Sequence, residues 1–203
     1  MRDPRLIAGG IFAAGFLALG SMVAIAQSGT EADATDGPGP NLVIEVAGQA
    51  NGRVVIDLMP DVAPRHVEQI TALAKSGAYD GVVFHRVIDG FMAQTGDVKF
   101  GKSGGPDFHP ARAGMGGSDK PNLKAEFSNA NHGRGACSMA RAQDPNSANS
   151  QFFIVFDDAS FLNRQYTVWG QVIEGMENVD KIKRGEPVPD PDKIVSMKVA
   201  ADA

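Results

Sequence analysis

The residues with the most chemical potential lie in one run, Phe84-His85-Arg86-Val87-Ile88-Asp89-Gly90-Phe91-Met92-Ala93-Gln94-Thr95-Gly96-Asp97. Two short strands joined by Ile88-Asp89-Gly90 would set Arg86 beside the strand carrying Gln94, because cross-strand neighbours are within side-chain reach. Alternation along the second strand puts Phe91 and Ala93 on one face and Met92 and Gln94 on the other. A second run reads Ser138-Met139-Ala140-Arg141, then Asp144-Pro145-Asn146-Ser147-Ala148-Asn149-Ser150-Gln151-Phe152-Phe153. A third is Ser160-Phe161-Leu162-Asn163. Together they offer a permanent cation and neutral amides beside apolar rings, since arginine stays charged at any relevant pH.

Neither a nucleophile nor a metal site is on offer. The single cysteine, Cys137, sits in an apolar strand as a small hydrophobe and excludes an intrachain disulfide and a cysteine-only metal site. His85 reads as a hydrogen-bonded structural histidine, while His109 and His132 fall in loops without ligand spacing. Gly96-Asp97-Val98-Lys99-Phe100-Gly101-Lys102-Ser103 fits the phosphate-loop pattern G-x-x-x-x-G-K-S. That motif needs a helix whose N-terminus faces the phosphates, and Gly104-Gly105-Pro106-Asp107 cannot start one. Nucleotide binding is therefore not expected.

The elements that must position these residues are short. Leu42–Val46 and Arg53–Met59 read as a hairpin across Gly48 to Gly52, and Val82–Val87 and Phe91–Thr95 as the next strand pair. Ala136–Ala140, Gln151–Phe156, Thr167–Ile173 and Lys193–Val199 complete eight strands. A first helix runs from Pro64 to Ser76, ended by Gly77, with Val67, Ile70, Leu73 and Ala74 on its apolar side. A second, about Met176 to Arg184, shows Met176, Val179 and Ile182. Without a βαβ alternation the sheet is not parallel. A mainly β fold follows, a closed eight-stranded antiparallel barrel with a helix over each open end. Asp97 to Lys124 has no periodicity, and a loop that long is uncommon unless functional.

The chain has 203 residues, 19 of them basic and 24 acidic, so the formal charge of −5 gives no basic footprint for nucleic acid. Leu6 to Ala26 carries no charge, follows a short basic start, and ends Ala24-Ile25-Ala26 before Gln27. Residues 1–26 read as a secretory signal cleaved near Ala26-Gln27, with an uncleaved membrane anchor as the alternative. The sequence from 27 to 40 is polar, acidic and rich in glycine, a flexible linker. The folded body is then 41–203, exported to the periplasm or secreted, or held at the inner membrane facing the periplasm.

The three runs resemble the cyclophilin family of peptidyl-prolyl cis–trans isomerases, in its short bacterial exported form. The likeness extends from about Leu42 to Val199, with FHRVIDGFMAQTGD and DPNSANSQFFI as its most specific parts. It implies an eight-stranded antiparallel barrel capped by two helices, proline-containing flexible polypeptides as substrates, no cofactor, and a monomer. On that resemblance Arg86 matches the catalytic arginine and Gln94 the glutamine that holds the substrate backbone. Phe91, Met92, Phe153 and Leu162 match the walls of the proline pocket. Ala140, Arg141 and Gln151 match the groove for the flanking peptide, and Gly101 or Gly104 the glycine turn beside the second pocket.

The sequence also departs from the family. Phe161 stands where many members have tryptophan, which implies weakened binding of cyclosporin. Tyr166 stands where many have histidine, and its phenol can donate a hydrogen bond in the histidine's place. Arg141 replaces the usual asparagine at a position whose contacts run through the backbone. Trp169, the only tryptophan, matches a core aromatic.

Overall fold

Pro64 begins the first helix because a proline lacks only an N–H that the first turn cannot use. This helix, α1 (Pro64–Lys75), buries Val67, Ile70, Leu73 and Ala74 as their spacing requires. No neighbouring side chain caps it. The carboxylate of Glu126 does so from across the chain, accepting the Arg65 and His66 amides at 3.3 and 3.1 Å. Gly77 ends the helix at φ +65°, a left-handed conformation that glycine takes without strain.

The computed structural model describes residues 35–200, so the expected signal and the first part of the linker lie outside the described residues. Eight strands form one antiparallel sheet: β1 (Asn41–Ala47), β2 (Gly52–Leu58), β3 (Arg86–Ile88), β4 (Met92–Thr95), β5 (Ala136–Met139), β6 (Phe152–Val155), β7 (Val168–Glu174) and β8 (Lys193–Val199). Their order is β3-β4-β6-β5-β7-β2-β1-β8. The ladder stops at β3 and β8, so the sheet is a half-barrel rather than the closed barrel expected. The gap between those two edges is crossed only by isolated bonds from Val82–Phe84, expected as part of β3. These residues leave the β3–β4 ladder and bridge to β8 instead, through Phe84 N–H to the Asp192 carbonyl and Ile194 N–H to the Val82 carbonyl.

Inside the curl, Leu42, Ile44, Ile56, Phe84, Phe152, Ile154 and Trp169 form the main core with the buried face of α1. Trp169 meets Phe152 edge-on at 5.3 Å. The second helix, α2 (Met176–Val179), is one turn long, shorter than its apolar spacing suggests. Two contacts stop it. Arg184 Nη1 takes the carbonyls of Asp180 and Ile182, and the Asp192 carboxylate accepts the Lys183 amide at 2.6 Å. Ile182 remains buried on the side that Met176 and Val179 share.

The segment 97–124 is ordered without being regular. Its one helical turn is Pro110–Arg112, and Leu123 bridges to Ala148. Directly after the phosphate-loop pattern, through Asp107, the chain turns repeatedly and forms no helix. Lys102 Nζ donates to the carbonyls of Gly77 and Ala78 just past the end of α1.

Candidate active site

Two strand pairings build the site. β3 sets Arg86 opposite Gln94, and β4 sets Gln94 opposite Phe153 on β6. From there the polar side chains connect in series. Arg86 Nη1 donates to Gln94 Oε1 at 3.4 Å, and Gln94 Nε2 donates to Gln151 Oε1 at 3.1 Å. Gln151 Nε2 then donates to the carbonyls of Gly114 and Gly116 at 2.9 and 2.7 Å. The direction is fixed at the first step. A guanidinium only donates, so Gln94 must offer it oxygen and pass its own N–H groups onward.

Asp97 anchors the far end. It is fully buried, and one carboxylate oxygen accepts the Lys99 and Phe100 amides at 3.1 and 2.9 Å. The other accepts the amides of Gly114 and Gly116 at 2.7 and 2.9 Å. The same two glycines therefore bond Asp97 through their N–H groups and Gln151 through their carbonyls. One further group reaches Arg86: its Nε donates to the Glu186 carboxylate.

The apolar half lies on the face of the sheet opposite the main core. Alternation sends Ala93, Phe152 and Ile154 inward, and Met92, Phe153 and Val155 to this second face. There Met92, Phe153 and Leu162 are buried together, with Phe91, Ala140 and Tyr166 packed against them. Phe91 joins Met92 rather than Ala93, against the alternation expected of it. β4 begins only at Met92, and Phe91 lies in the preceding turn with its amide on the Ile88 carbonyl. Phe161 is 63% exposed at the rim, its ring 5.5 Å from that of Phe91. Beneath Phe153, buried His132 stacks at 6.4 Å and bonds Asn163 and Ser138.

Beside this cluster lies a cavity of ≈ 530 Å³ whose wall includes Gln94, Ala140, Arg141 and Gln151. The expected groove residues thus come together. The glycine turn does not fall where it was expected: Gly114, Gly116 and Gly117 line the cavity, and Gly101 and Gly104 do not. Gly101 is buried elsewhere, its carbonyl accepting the Val83 amide. Arg141 is tied down by the carbonyls of Gln165, Ala142 and Gln143, with its guanidinium 4.5 Å over the Tyr166 ring. Tyr166 in turn meets Phe153 edge-on at 5.9 Å.

Burial pushes the His85 and His132 rings below the ordinary histidine pKa and the Cys137 thiol above its own. The imidazoles are then neutral and the thiol protonated at neutral pH, so the charged donors beside the apolar cluster are Arg86 and Arg141, and Arg141 is already tied to backbone carbonyls. Among the described residues, no group of three or more His, Cys, Asp or Glu is placed to hold a metal. A separate cavity of ≈ 600 Å³, between Phe108–Ala113 and Pro187–Pro191, includes His85 but neither Arg86 nor Gln94.

Sequence reasoning missed Glu186, the 114–117 turn, and the part Asp97 plays. For Asp97 a local signal existed, since an aspartate often bonds amides two or three residues on. For Glu186 none did, because the contact spans one hundred residues.

A family model described as cyclophilin type peptidyl-prolyl cis-trans isomerase/CLD matches residues 42–199. A probable peptidyl-prolyl cis-trans isomerase of Brucella suis biovar 1 (strain 1330) is 50% identical over 191 residues, covering 92% of this chain and 95% of the relative. Peptidyl-prolyl cis-trans isomerase-like 3 of Mus musculus is 36% identical over 137 residues, 66% of this chain and 77% of that protein. Among solved structures, the cyclophilin AquaCyp293 from Hirschia baltica aligns with a TM-score of 0.69 and 28% identity, over 84% of this chain and 77% of the other. A Cryptosporidium parvum cyclophilin type peptidyl-prolyl cis-trans isomerase, crystallised in the presence of the dipeptide Ala-Pro, aligns with a TM-score of 0.65 and 26% identity, over 78% and 98% of the two chains.

Proposed function

The chain belongs to the cyclophilin-type peptidyl-prolyl cis–trans isomerases, and from that premise we propose that Arg86 is its catalytic group and exported polypeptides its clients. The reaction is rotation about an X-Pro bond. Amide resonance opposes it with a barrier of about 18–20 kcal/mol, while cis and trans differ by only about 1 kcal/mol. The task is kinetic, and it requires neither a nucleophile nor a cofactor.

Twisting the bond makes the prolyl nitrogen pyramidal and more basic. A guanidinium aimed at that nitrogen stabilises the twisted amide more than the planar one, which is the condition for catalysis. The observation that carries this reading is the relay of Arg86, Gln94 and Gln151 running along the edge of the apolar cluster. Phe91, Met92, Phe153 and Leu162 receive the proline ring, with Phe161 at the rim. Gln94 holds the substrate backbone, and Ala140, Arg141, Gln151 and Tyr166 border the flanking peptide.

Raising a rate near 10⁻² s⁻¹ to about 10³ s⁻¹ requires roughly 7 kcal/mol. One charge-assisted hydrogen bond supplies about 2–4 kcal/mol of that. The remainder falls to the apolar pocket and the fixed amides, which hold both sides of the bond so that only its torsion changes.

Export rests on the uncharged stretch from Leu6 to Ala26 and its Ala-Ile-Ala ending. Two measurements test the proposal. In a protease-coupled assay on a proline tetrapeptide, micromolar protein should accelerate cis-to-trans conversion, and no acceleration would sink the catalytic reading. N-terminal sequencing of the protein from cells should give Gln27 in the soluble envelope fraction. Met1 in the membrane fraction would support the anchored form, and Met1 in the cytoplasm would refute export.

A further inference from the structure

Glu186 stands where binding a proline ring calls for no acid, and the backbone puts it there. Val87 and Gly185 exchange both N–H···O=C bonds, at 2.8 and 2.9 Å, as an antiparallel bridge on the outer edge of β3. Residues one step from such a pair face each other directly, so Glu186 falls opposite Arg86. Pro187 has no N–H to continue the bridge, and Val188 supplies the next bond, to the His85 carbonyl at 3.1 Å. The contact between the two side chains is thus set by strand register, on the side of Arg86 away from Gln94.

We propose that Glu186 is a positioning residue for Arg86, an inference that rests on the catalytic reading of Arg86. The Arg86 side chain is 38% exposed and that of Glu186 56% exposed. A pair so open to water contributes little to folding stability. Its effect is on geometry. An arginine this exposed would otherwise sample many rotamers. Gln94 alone, at 3.4 Å, is a long contact on one edge of the guanidinium. With the Nε edge engaged by Glu186 and an Nη1 donor by Gln94, the plane is fixed from two directions, and among the described residues Nη2 donates to none and is left for the substrate. The donor is then in place before the peptide arrives, so reorganisation is avoided in the twisted state.

The test compares Glu186→Ala and Glu186→Gln in the protease-coupled assay, with peptide binding, urea unfolding and the Arg86 Nε–H resonance measured alongside. Glu186→Ala should lower kcat about 5- to 10-fold with KM within about twofold. Its unfolding midpoint should stay at the wild-type value and the Nε–H resonance should move. Glu186→Gln, which keeps an acceptor oxygen without the charge, should recover most of the lost turnover. In an Arg86→Ala background, Glu186→Ala should cause no further loss. Wild-type kcat in Glu186→Ala, an equal loss with Arg86 absent, or an unmoved Nε–H resonance would each overturn the proposal. A wild-type protein without isomerase activity would instead overturn the reading of Arg86, while the resonance still decides the pairing.

Discussion

Asp97→Asn should loosen the whole polar side of the site. The native carboxylate is fully buried and accepts four backbone amides, two on each oxygen. An asparagine keeps one oxygen and turns the other into an NH₂ group facing two N–H donors. The surviving oxygen should stay with Lys99 and Phe100, which are two and three residues away and are the least costly to hold. Gly114 and Gly116 then lose their acceptor. Hydrogen bonds to a charged group contribute about 1.5–3 kcal/mol each, so the expected loss is roughly 3–6 kcal/mol. That is a large share of the roughly 5–15 kcal/mol that holds an ordinary domain together. With the turn released, Gln151 loses the two carbonyls that orient it, and Gln94 loses its partner in turn. Urea unfolding gives the stability change from the midpoint at constant slope. The protease-coupled assay at a temperature where the variant is folded gives the effect on turnover. A midpoint shift worth less than about 1 kcal/mol together with wild-type turnover would refute both the anchoring role of Asp97 and the relay through Gln151.

Three further outcomes are expected. Burial depresses the pKa of His66, His85 and His132. The unfolded chain therefore binds more protons than the fold below the ordinary histidine value, and their contribution, complete above about pH 6.5, is lost as the pH falls. Urea midpoints should drop between pH 7.5 and pH 5, and a midpoint that rose would contradict the neutral buried imidazoles. Over the same range kcat should stay flat wherever the protein is folded, because a guanidinium keeps its charge; a bell-shaped profile would point to an acid or base the site does not use. Finally, Phe161→Trp should tighten cyclosporin binding about tenfold, the share a well-placed interfacial tryptophan commonly carries. An unchanged dissociation constant by fluorescence titration would show that Phe161 does not limit that recognition.

Much of the fold was legible because its residues answer to local rules. Val67, Ile70, Leu73 and Ala74 repeat at helical spacing and are the face that α1 buries. Seven of the eight strands lie within a residue of the β-branched or aromatic runs that predicted them, and β3 alone is displaced, to Arg86–Ile88. What escaped depended on distant partners. Nothing near Val179 says that α2 must stop, since the groups that stop it are the Arg184 guanidinium and the Asp192 carboxylate. Val82–Phe84 look like strand and are extended, yet their partner is β8 rather than β4. The site divides the same way. Arg86, Phe91, Met92 and Gln94 sit within nine residues, so one motif exposed them. The 114–117 turn lies in an aperiodic loop and is placed by Asp97 and Gln151, and Glu186 by the bridge of its neighbour Gly185 to Val87. The phosphate-loop pattern shows the converse, a string match whose lysine is used to bind the carbonyls after α1.

On the proposed mechanism Arg86 acts on the twisted amide and not on binding as such. The most direct test is Arg86→Ala, with turnover and peptide affinity measured separately. Line-shape or exchange NMR on a proline peptide gives the catalysed rate at saturation, and a titration of the same peptide gives the dissociation constant. Removing an interaction made only in the twisted state should lower kcat about 10²- to 10³-fold and move the dissociation constant less than about threefold. Equal losses in both, or a kcat near the wild-type value, would contradict the account.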